Sequence, residues 1–531
     1  MYKMGFTVSK AEERIGRKMM KLTDIEPIKF TRRFRSSYVG RESIIMHDLG
    51  NIVEPYTHKS IVGLGLVQSM KIDDESRVHI NMDYIVPGYP NQTEIERDIL
   101  AVLDKYDWIK GVHLKSHVPK KNGALNSSTI DPTVLSSVGH IIGVSSCKGG
   151  VGKSTVAANI AVCLAQQGLH VGLLDADVYG PSLPYLIPAE SNTVRRSTRN
   201  SKQILPLQSL HQPNLKILSF GHVNPKSGAP GSGGQAAAVV RGPIASRIIN
   251  QLLLQTEWGD LDYLVVDMPP GTGDIQITLS QSACLSGVVL VTTPHPLSLA
   301  DAAKGVAMFE EVKVPTLTVV ENMAYFTCDQ GKKYHLFGQG GRDNILKGCA
   351  GLLDDLEFDR SSSYLRLKEC PLHSIPILDI SKRLHSKHDV SGTGNETFML
   401  PISLVDPSCE TSLSFRATAM DMIGQVFASQ VKALMVPSVR YSDKKKKLLL
   451  RYFSASNAEE YEIDAMDLRS RDPATGKRLV APAIISSMDA VPVKLDHKGH
   501  YGVSIVWSDG HFADIFPYDV LRRIAEESKI K

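Results

Sequence analysis

Two lysines in one glycine-rich run are the residues best placed to do chemistry. The run reads Ser145-Ser146-Cys147-Lys148-Gly149-Gly150-Val151-Gly152-Lys153-Ser154-Thr155. Glycines allow backbone N–H groups to close around phosphate oxygens, and a helix that begins at the second lysine adds positive potential. We therefore expect residues 147–155 to bind the phosphates of ATP, with Lys153 at the β- and γ-phosphates and the Ser154 hydroxyl on Mg²⁺.

Cys147 stands where this type of loop usually has its first glycine, six residues before Lys153. The loop can tolerate a small side chain at that position, but a thiol can also be a metal ligand. The sequence leaves both interpretations of Cys147 open, while the rest of the run agrees with nucleotide binding.

Three aspartates predict the other half of this site. Asp175 and Asp177 follow a leucine pair, and Asp267 ends another apolar run. A carboxylate at the end of a buried strand can hold Mg²⁺ or orient an attacking water. We expect Asp175 and Asp267 to hold Mg²⁺ together with Ser154, and Asp177 to orient the water.

Alternating strands and helices are predicted to position these groups. From about residue 140 to residue 382, short apolar runs end in or lead into Gly, Asp or Pro, and most precede a stretch with helical spacing. This alternation is typical of an α/β fold with a central parallel sheet and crossover helices. The predicted strands are His140–Val144, His170–Leu174, Leu261–Val266, Gly287–Thr292 and Thr316–Val320.

Smaller units are predicted on either side of this phosphate-loop NTPase domain. The amino-terminal unit has α+β character with a helix at 93–106, and the carboxyl-terminal unit is mostly β with a tight turn at Asp509-Gly510. Within the central domain, 415–434 is predicted as one helix, and 190–235 as a long segment that is mobile in part. The predicted divisions are a basic leader 1–42, an α+β domain 43–120, a linker 121–139, the central domain 140–436 and a β domain 437–531.

Composition excludes several classes of protein. The chain has 531 residues, of which 42% are hydrophobic and 22% charged, and these values exclude a disordered chain, a collagen and a coiled-coil rod. No apolar run has the ~20 residues that a membrane span needs, and seven cysteines are too few for a disulfide scaffold. We expect a soluble protein of a reducing compartment, with the plastid stroma, the mitochondrial matrix and the cytosol all open.

Charge argues against nucleic acid as a partner. The net charge is only +4, which gives no case for a nucleic-acid footprint, and we expect no membrane partner either. Residues 1–41 carry eleven Lys/Arg and four Asp/Glu without the apolar stretch of a secretory signal. A transit peptide and a solvated basic tail are both compatible with this leader.

The loop, with its second lysine at Lys148, resembles that of the deviant Walker A family of ATPases. In that family the extra lysine reaches across a dimer to the nucleotide of the partner. The resemblance implies an ATP-sandwich homodimer in which Lys148 stabilises transition-state charge in trans. The catalytic residues expected on this basis are Lys148, Lys153 and Asp177.

Further motifs resemble the Mrp branch of iron–sulfur carriers. They are Asp175–Ser182, Arg241-Gly242-Pro243, Asp267–Asp274 and Val320-Glu321-Asn322-Met323. In that branch the asparagine of the last motif contacts adenine, so the resemblance implies this role for Asn322.

The flanking units narrow the resemblance. Residues 44–119 resemble the SufT-like domain of iron–sulfur assembly factors. Residues 438–531 are similar to the gamma-butyrobetaine-hydroxylase-like N-terminal domain, notably at Val503–Asp509 and Phe516–Asp519. This domain order is that of the plant-type high-chlorophyll-fluorescence scaffolds. It implies an ATP-dependent scaffold or carrier, a homodimer with slow hydrolysis, that assembles a [4Fe–4S] cluster and transfers it to apoproteins. Upstream cluster donors are the other partners that the resemblance implies.

The cysteines depart from that pattern. Many Mrp members carry Cys-x-x-Cys where this chain has only Cys328, and Tyr89-Pro90 replaces a cysteine of the SufT-like domain. Two subunits would then supply two thiolates at this position, whereas a [4Fe–4S] cluster usually takes four. The candidate cluster ligands are Cys147, Cys328, Cys349, Cys370 and Cys409.

The sequence leaves two other functions open. The missing Cys-x-x-Cys favours a nucleotide-gated adaptor that holds no cluster and docks client proteins. A ParA/MinD-type positioning ATPase would want a basic amphipathic helix at the carboxyl end, where we expect only a short tail, Val520–Lys531.

Overall fold

The chain divides into two units in this structure, a computed structural model. One unit holds the described residues within 1–85, 91–118 and 427–531, and the other holds those within 86–90 and 119–426. The described residues are 39–117, 135–191, 193–224, 242–328, 330–338, 340, 370–377, 385–388, 396–434, 437–453, 458–473, 476–478, 491–498, 502–510 and 512–529. Residues 1–38 of the basic leader and Cys349 lie outside them.

The amino-terminal part of the first unit is a three-stranded sheet with two helices. The elements are α1 (Val39–Leu49), β1 (Val53–Glu54), β2 (Lys59–Ser60), β3 (Val67–Ile72), β4 (Arg77–Asp83), α2 (Gln92–Leu103) and β5 (Gly111–His117). Ile95, Ile99 and Leu103 of α2 are buried, as the helical spacing predicts. Helix α1 begins ahead of the predicted boundary at 43, and its two fully buried residues, Ile45 and Leu49, are too few to reveal a period.

The second unit is built on an eight-stranded sheet that is parallel except for its last strand. The sheet order is β15-β12-β11-β6-β10-β7-β9-β8, and all five predicted strands belong to it. Its elements are β6 (Val138–Ser145), α3 (Lys153–Gln166), β7 (Val171–Asp175), α4 (Leu183–Leu186), β8 (Leu207–Gln208), β9 (Leu215–Ser219), α5 (Phe220–Val223), α6 (Gly242–Leu254), β10 (Leu261–Asp267), α7 (Asp274–Ala283), β11 (Gly287–Thr292), α8 (Pro296–Glu311), β12 (Thr316–Glu321), β13 (Phe326–Thr327), β14 (Lys333–Tyr334), β15 (Leu372–Ser374), β16 (His385–His388), β17 (Glu396–Met399), α9 (Ile402–Val405) and α10 (Glu410–Leu434), of which the residues from Phe427 onward belong to the first unit.

Burial on both faces explains the continuous apolar runs of this sheet. Every residue of β7 and of β11 is buried. Helix α3 is buried over most of its length and is joined to α9 by hydrogen bonds. The Ser403 amide donates to Asn159 Oδ1 at 3.0 Å, and Gln166 Nε2 donates to the Ser403 carbonyl at 2.8 Å. The helix that begins at Lys153 is therefore held by hydrogen bonds as well as by packing.

The structure refines three predictions in this unit. The predicted helix at 415–434 is confirmed as α10, although it begins earlier, at Glu410. Strand β6 begins at Val138, inside the predicted linker 121–139. The described part of 190–235 contains β8, β9 and further bridges, so this part is ordered by strand pairing.

The carboxyl-terminal part has two antiparallel three-stranded sheets, as its β pattern predicts. The elements are β18 (Ser438–Ser442), β19 (Lys447–Phe453), β20 (Ala458–Asp464), α11 (Ala465–Arg469), β21 (Pro492–Lys498), β22 (Gly502–Trp507), β23 (Phe512–Pro517) and α12 (Tyr518–Lys529). Gly510 has φ of 78° in the predicted turn between β22 and β23. The expected short tail is instead α12, whose Val520, Leu521 and Ile524 are buried in the core of this part.

Burial of that helix face bears on the positioning-ATPase hypothesis. The apolar residues of α12 pack on the sheets of their own domain, so they are not free to insert into a membrane surface. Among the described helices, none is long and apolar enough to cross a bilayer.

Candidate functional site

The glycine-rich loop connects β6 to α3 at the carboxyl edge of the parallel sheet. Gly150 and Gly152 have φ of 80° and 84°, a left-handed conformation that favours glycine. A Cβ on Gly152 would also clash with Asn322 Nδ2, so a larger residue does not fit. A left-handed glycine directly before a long helix is an arrangement in which loop N–H groups can face an anion.

Lys153 and Asp267 form a buried ion pair beneath this loop. Their side chains are 7% and 4% exposed, and Lys153 Nζ donates to Asp267 Oδ1. Burial raises the pKa of Asp267, although the charge of Lys153 opposes that rise. A phosphate bound in the loop would compete with Asp267 for the same amine.

Asp175 lies beside this pair at the end of the adjacent strand β7, and its carboxylate accepts several hydrogen bonds. Its Oδ2 accepts hydrogen bonds from the Ser182 amide (2.9 Å), the Leu183 amide (3.1 Å) and the Ser219 hydroxyl (3.1 Å). Burial, and next the charge of Asp267, raise the pKa of Asp175 to about 7. Ser219 was not predicted as a site residue, although its place at the carboxyl end of a strand is the same signal that identifies Asp175.

The three predicted magnesium ligands meet in one cleft. Ser154, Asp175 and Asp267 line it together with Ser182. A hydroxyl and two carboxylates are hard oxygen donors of the type that Mg²⁺ takes while it keeps waters and phosphate oxygens as its other ligands. The residues present therefore fit Mg²⁺.

Asp177 begins a turn that leaves this cleft. Its Oδ1 accepts hydrogen bonds from the Tyr179 and Gly180 amides, both at 3.2 Å, and its own amide donates to Asp175 Oδ1 at 3.1 Å. The side chain is half-buried. Its role in orienting water stays a prediction.

Lys148 lies on the exposed side of the loop, in contrast to the buried Lys153. The Ser146 hydroxyl donates to the Lys148 carbonyl at 3.0 Å, which fixes the backbone there. The loop thus separates one lysine that faces the interior from one that is available to a second molecule. This arrangement is compatible with the predicted trans role.

Asn322 is buried against the loop. Its Nδ2 donates to the Val151 carbonyl at 2.8 Å, and its amide donates to the Thr292 carbonyl at 2.8 Å. The side chain therefore ties the end of β12 to the phosphate loop, a structural role that its motif did not reveal. The predicted contact with adenine stays a prediction.

Three of the cysteines have enclosed thiols. Cys147 packs so closely against Gly305 of α8 that a Cβ on Gly305 would clash with the Cys147 Sγ. Burial raises the pKa of the Cys147 thiol to about 12. Cys370 is 8% exposed and donates to the Thr316 carbonyl at 3.0 Å. Cys163 is also buried, and its thiol contacts the Ser403 hydroxyl. Because metal ligands are thiolates, the structure favours Cys147 as a packed loop residue over Cys147 as a ligand.

Cys328 and Cys409 are half-buried and belong to segments that are tied together. Cys328 lies in the turn between β13 and β14, and Cys409 caps α10, where its Sγ accepts from the Ser412 amide at 3.4 Å. Glu410 Oε1 accepts from the Tyr325 hydroxyl at 2.8 Å and from Lys333 Nζ at 2.9 Å. Within the described ranges, no three His, Cys, Asp or Glu side chains are grouped as a metal site.

The raised pKa of Asp175 predicts a specific pH dependence. Between its ordinary value near 4 and about 7, folded Asp175 keeps a proton that the unfolded chain releases, so its contribution to stability falls as pH rises through this window. Asp175→Asn removes this titration, and its stability relative to wild type should improve between pH ~5 and pH ~8 by on the order of 1–3 kcal/mol.

Melting temperatures of the two proteins without nucleotide or Mg²⁺ measure this change. Asp107→Asn, at an exposed carboxylate, serves as the control and should show no such trend. A constant difference between Asp175→Asn and wild type at both pH values would contradict the prediction.

Comparisons with family models identify two parts of the chain. Residues 137–361 match a model described as ParA, NUBPL iron-transfer P-loop NTPase. Residues 439–522 match a model described as gamma-butyrobetaine hydroxylase-like, N-terminal. The central parallel sheet with its phosphate loop is thus that of a P-loop NTPase.

Individual relatives extend the match over most of the chain. The Fe–S cluster assembly factor HCF101, chloroplastic, of Arabidopsis thaliana is 34% identical over 493 residues, which cover 91% of this chain and 82% of the relative. An iron–sulfur cluster carrier protein of Deinococcus radiodurans is 37% identical over 299 residues, 56% of this chain and 79% of the relative. A solved nucleotide-binding protein of Archaeoglobus fulgidus in complex with ADP is 34% identical, covers 46% of this chain and 84% of its own, and has a TM-score of 0.35.

Proposed function

Because the chain belongs to the family of the Fe–S cluster assembly factor HCF101, we propose that it is an ATP-dependent carrier that transfers a [4Fe–4S] cluster to apoproteins. The observation that carries the nucleotide part is the meeting of Lys153, Asp175 and Asp267 beneath the glycine-rich loop. One amine and two carboxylates at the carboxyl edge of a parallel sheet suit a magnesium nucleotide.

The same geometry supports a proposed role for each residue of the site. Lys153 would bind the β- and γ-phosphates, and Ser154, Asp175 and Asp267 would hold Mg²⁺, which neutralises phosphate charge. Asp177 would orient the attacking water. Since Lys148 is exposed, it would act only on the nucleotide of a partner subunit, and hydrolysis would be slow until two chains pair.

The cluster is cargo in this proposal, and its ligands are thiolates at the edge of the ATPase unit. Cys328 and Cys409 are the favoured pair, since the Glu410 contacts join their segments and neither thiol is enclosed as Cys147 and Cys370 are. Two such cysteines from each subunit of a homodimer supply the four thiolates that a [4Fe–4S] cluster takes. The proposed partners are upstream cluster donors and apo iron–sulfur proteins.

The proposal also keeps the predicted domain division. The SufT-like domain at 43–120 and the β domain at 437–531 would provide the surfaces for donors and recipients, and the domain at 140–436 would provide the nucleotide switch. The free cysteines of the described residues suit a reducing compartment.

Anaerobic reconstitution with iron and sulfide tests the cargo. We expect about four irons per dimer in the wild type, and a loss of most of this iron in Cys328→Ser and in Cys409→Ser. Cys284→Ser is the control. This thiol lies at the end of α7 and is not one of the proposed ligands, so its loss should not change the iron content. Full iron loading in both of the first two variants would refute the assigned ligand pair.

A nucleotide-gated adaptor without a cluster is the second candidate. It is favoured by the absence, within the described ranges, of a three-ligand metal group. If the reconstituted wild type holds no iron above background but still binds apoproteins in an ATP-dependent way, the adaptor replaces the carrier.

A further inference from the structure

A long stretch of the second unit has no acidic residue. Residues 191–256 contain eight Lys/Arg and no Asp or Glu, although the whole chain has 60 basic and 56 acidic residues. Half of these cations lie within twelve residues, 194–205, which we call the basic hairpin. They are Arg195, Arg196, Arg199 and Lys202.

Backbone hydrogen bonds fix the shape of the basic hairpin. The Leu205 amide donates to the Arg195 carbonyl at 2.8 Å, and the Ser197 amide donates to the Gln203 carbonyl at 2.9 Å. An antiparallel bridge between Arg196 and Ile204 lies between these bonds. Arg195 and Arg196 therefore stand on paired backbone, and Arg199 and Lys202 lie in the turn that this pairing closes. A fixed backbone lowers the entropy that a partner must remove on binding.

The basic hairpin is also anchored to the ATPase sheet. The Ile204 amide donates to the Gln255 carbonyl at 2.9 Å, and the Glu257 amide donates to the Ile204 carbonyl at 2.8 Å. The buried Ser197 hydroxyl donates to the Glu257 carboxylate. These contacts join the hairpin to the chain that leads into β10.

The charges of the basic hairpin face solvent. All four cations are exposed, and Arg199, which is 86% exposed, lies 3.4 Å from Glu257. Among the described residues, Glu257 is the one carboxylate within ion-pair distance of the hairpin's cations. Arg195 and Lys202 have no carboxylate partner in that part of the chain, so most of the positive charge is available to a partner.

The location of the basic hairpin separates it from the nucleotide. Its anchor at Thr256 precedes β10, which begins at Leu261 and reaches the site at Asp267. A strand of seven residues spans about 20 Å. A partner on the hairpin would therefore lie at the amino edge of the sheet and leave the phosphate loop open.

We propose that the basic hairpin is a docking surface for an acidic segment of a partner protein. Arginine forks bind carboxylates in a bidentate way, and complementary charge speeds encounter and selects partners. Nucleic acid fits less well, because single strands are held by aromatic stacking in addition to charge and residues 194–205 contain no aromatic side chain. Docking of an acidic segment at the basic hairpin would require neither ATP nor a bound cluster.

Binding of fluorescein-labelled octaglutamate to the full chain tests this surface by anisotropy. We expect measurable binding at ~50 mM salt that weakens steeply by ~200 mM. The triple variant Arg195→Gln, Arg196→Gln and Lys202→Gln should bind about tenfold more weakly. The matched control removes the same charge from three exposed lysines of the first unit, with Lys105→Gln, Lys110→Gln and Lys115→Gln, and should stay within about twofold of wild type.

A charge-reversal variant tests the same surface if the neutral variant is unstable. Arg195→Glu, Arg196→Glu and Lys202→Glu should lose octaglutamate and gain binding of octalysine. Equal losses in the hairpin and control variants, or no octaglutamate binding at low salt, would overturn the proposal. Tighter hairpin-dependent binding of a single-stranded oligonucleotide than of octaglutamate would overturn the choice of an acidic protein.

Discussion

Replacing Lys153 with alanine is expected to abolish ATP-dependent transfer of a [4Fe–4S] cluster from this protein to an apoprotein. The substitution removes the amine that would bind the β- and γ-phosphates. Truncating one partner of a buried charge pair costs about 2–5 kcal/mol, so MgATP should bind ~30-fold more weakly or worse. Calorimetry with MgATP measures the binding, and the spectrum of a recipient apoprotein measures the transfer.

This variant needs a control for folding, because it also leaves Asp267 and Asp175 without their cation. Lys153→Arg keeps a positive charge beside Asp267 but changes its hydrogen-bonding geometry, so it should melt near wild type and still fail in transfer. Lys304→Ala, at an exposed lysine of α8, should leave both properties unchanged. Normal MgATP affinity in Lys153→Ala would remove the nucleotide role from the loop.

The parallel sheet could be predicted from sequence because burial on both faces leaves a simple signal. Strands such as β7 and β11 are buried at every position, so they read as continuous apolar runs that end at Asp175 or at a threonine. The loop could be predicted for a related reason. Its glycines meet a local steric requirement, which is seen in the positive φ of Gly150 and Gly152. A local requirement of this kind can be recognised in a short stretch of sequence.

The contacts that complete the site could not be predicted, since they join distant parts of the chain. Asn322 holds the Val151 carbonyl from 171 residues away, and Ser403 meets Asn159 across 244 residues. Nothing in the local sequence around Glu410 shows that it contacts Tyr325 and Lys333. The motif identified Asp175 and Asp267 separately, but only the fold shows that burial raises the pKa of both carboxyl groups and that the charge of Asp267 adds to the rise at Asp175.

Replacing Lys148 with alanine is expected to leave MgATP binding nearly intact and to reduce ATP turnover by ~10³-fold or more, by analogy with a cation supplied in trans to phosphoryl transfer. The side chain is exposed, so its loss should not disturb the fold. It lies outside the buried pair of Lys153 and Asp267, so the affinity for MgATP in the ground state should remain. Steady-state phosphate release and MgATP calorimetry on the same preparation separate the two effects.

Mixed dimers decide whether Lys148 acts on its own nucleotide or on that of its partner. Asp177→Asn disables the proposed water-orienting residue, and a dimer of one Lys148→Ala chain with one Asp177→Asn chain tests both models. If Lys148 acts in trans, one of the two sites has an intact Asp177 and receives the partner's intact lysine. An equal mixture should then recover about a quarter of wild-type turnover, since half of the dimers are mixed and each has one complete site. If Lys148 acts within its own chain, neither site is complete and the mixture stays inactive, which would exclude the trans model.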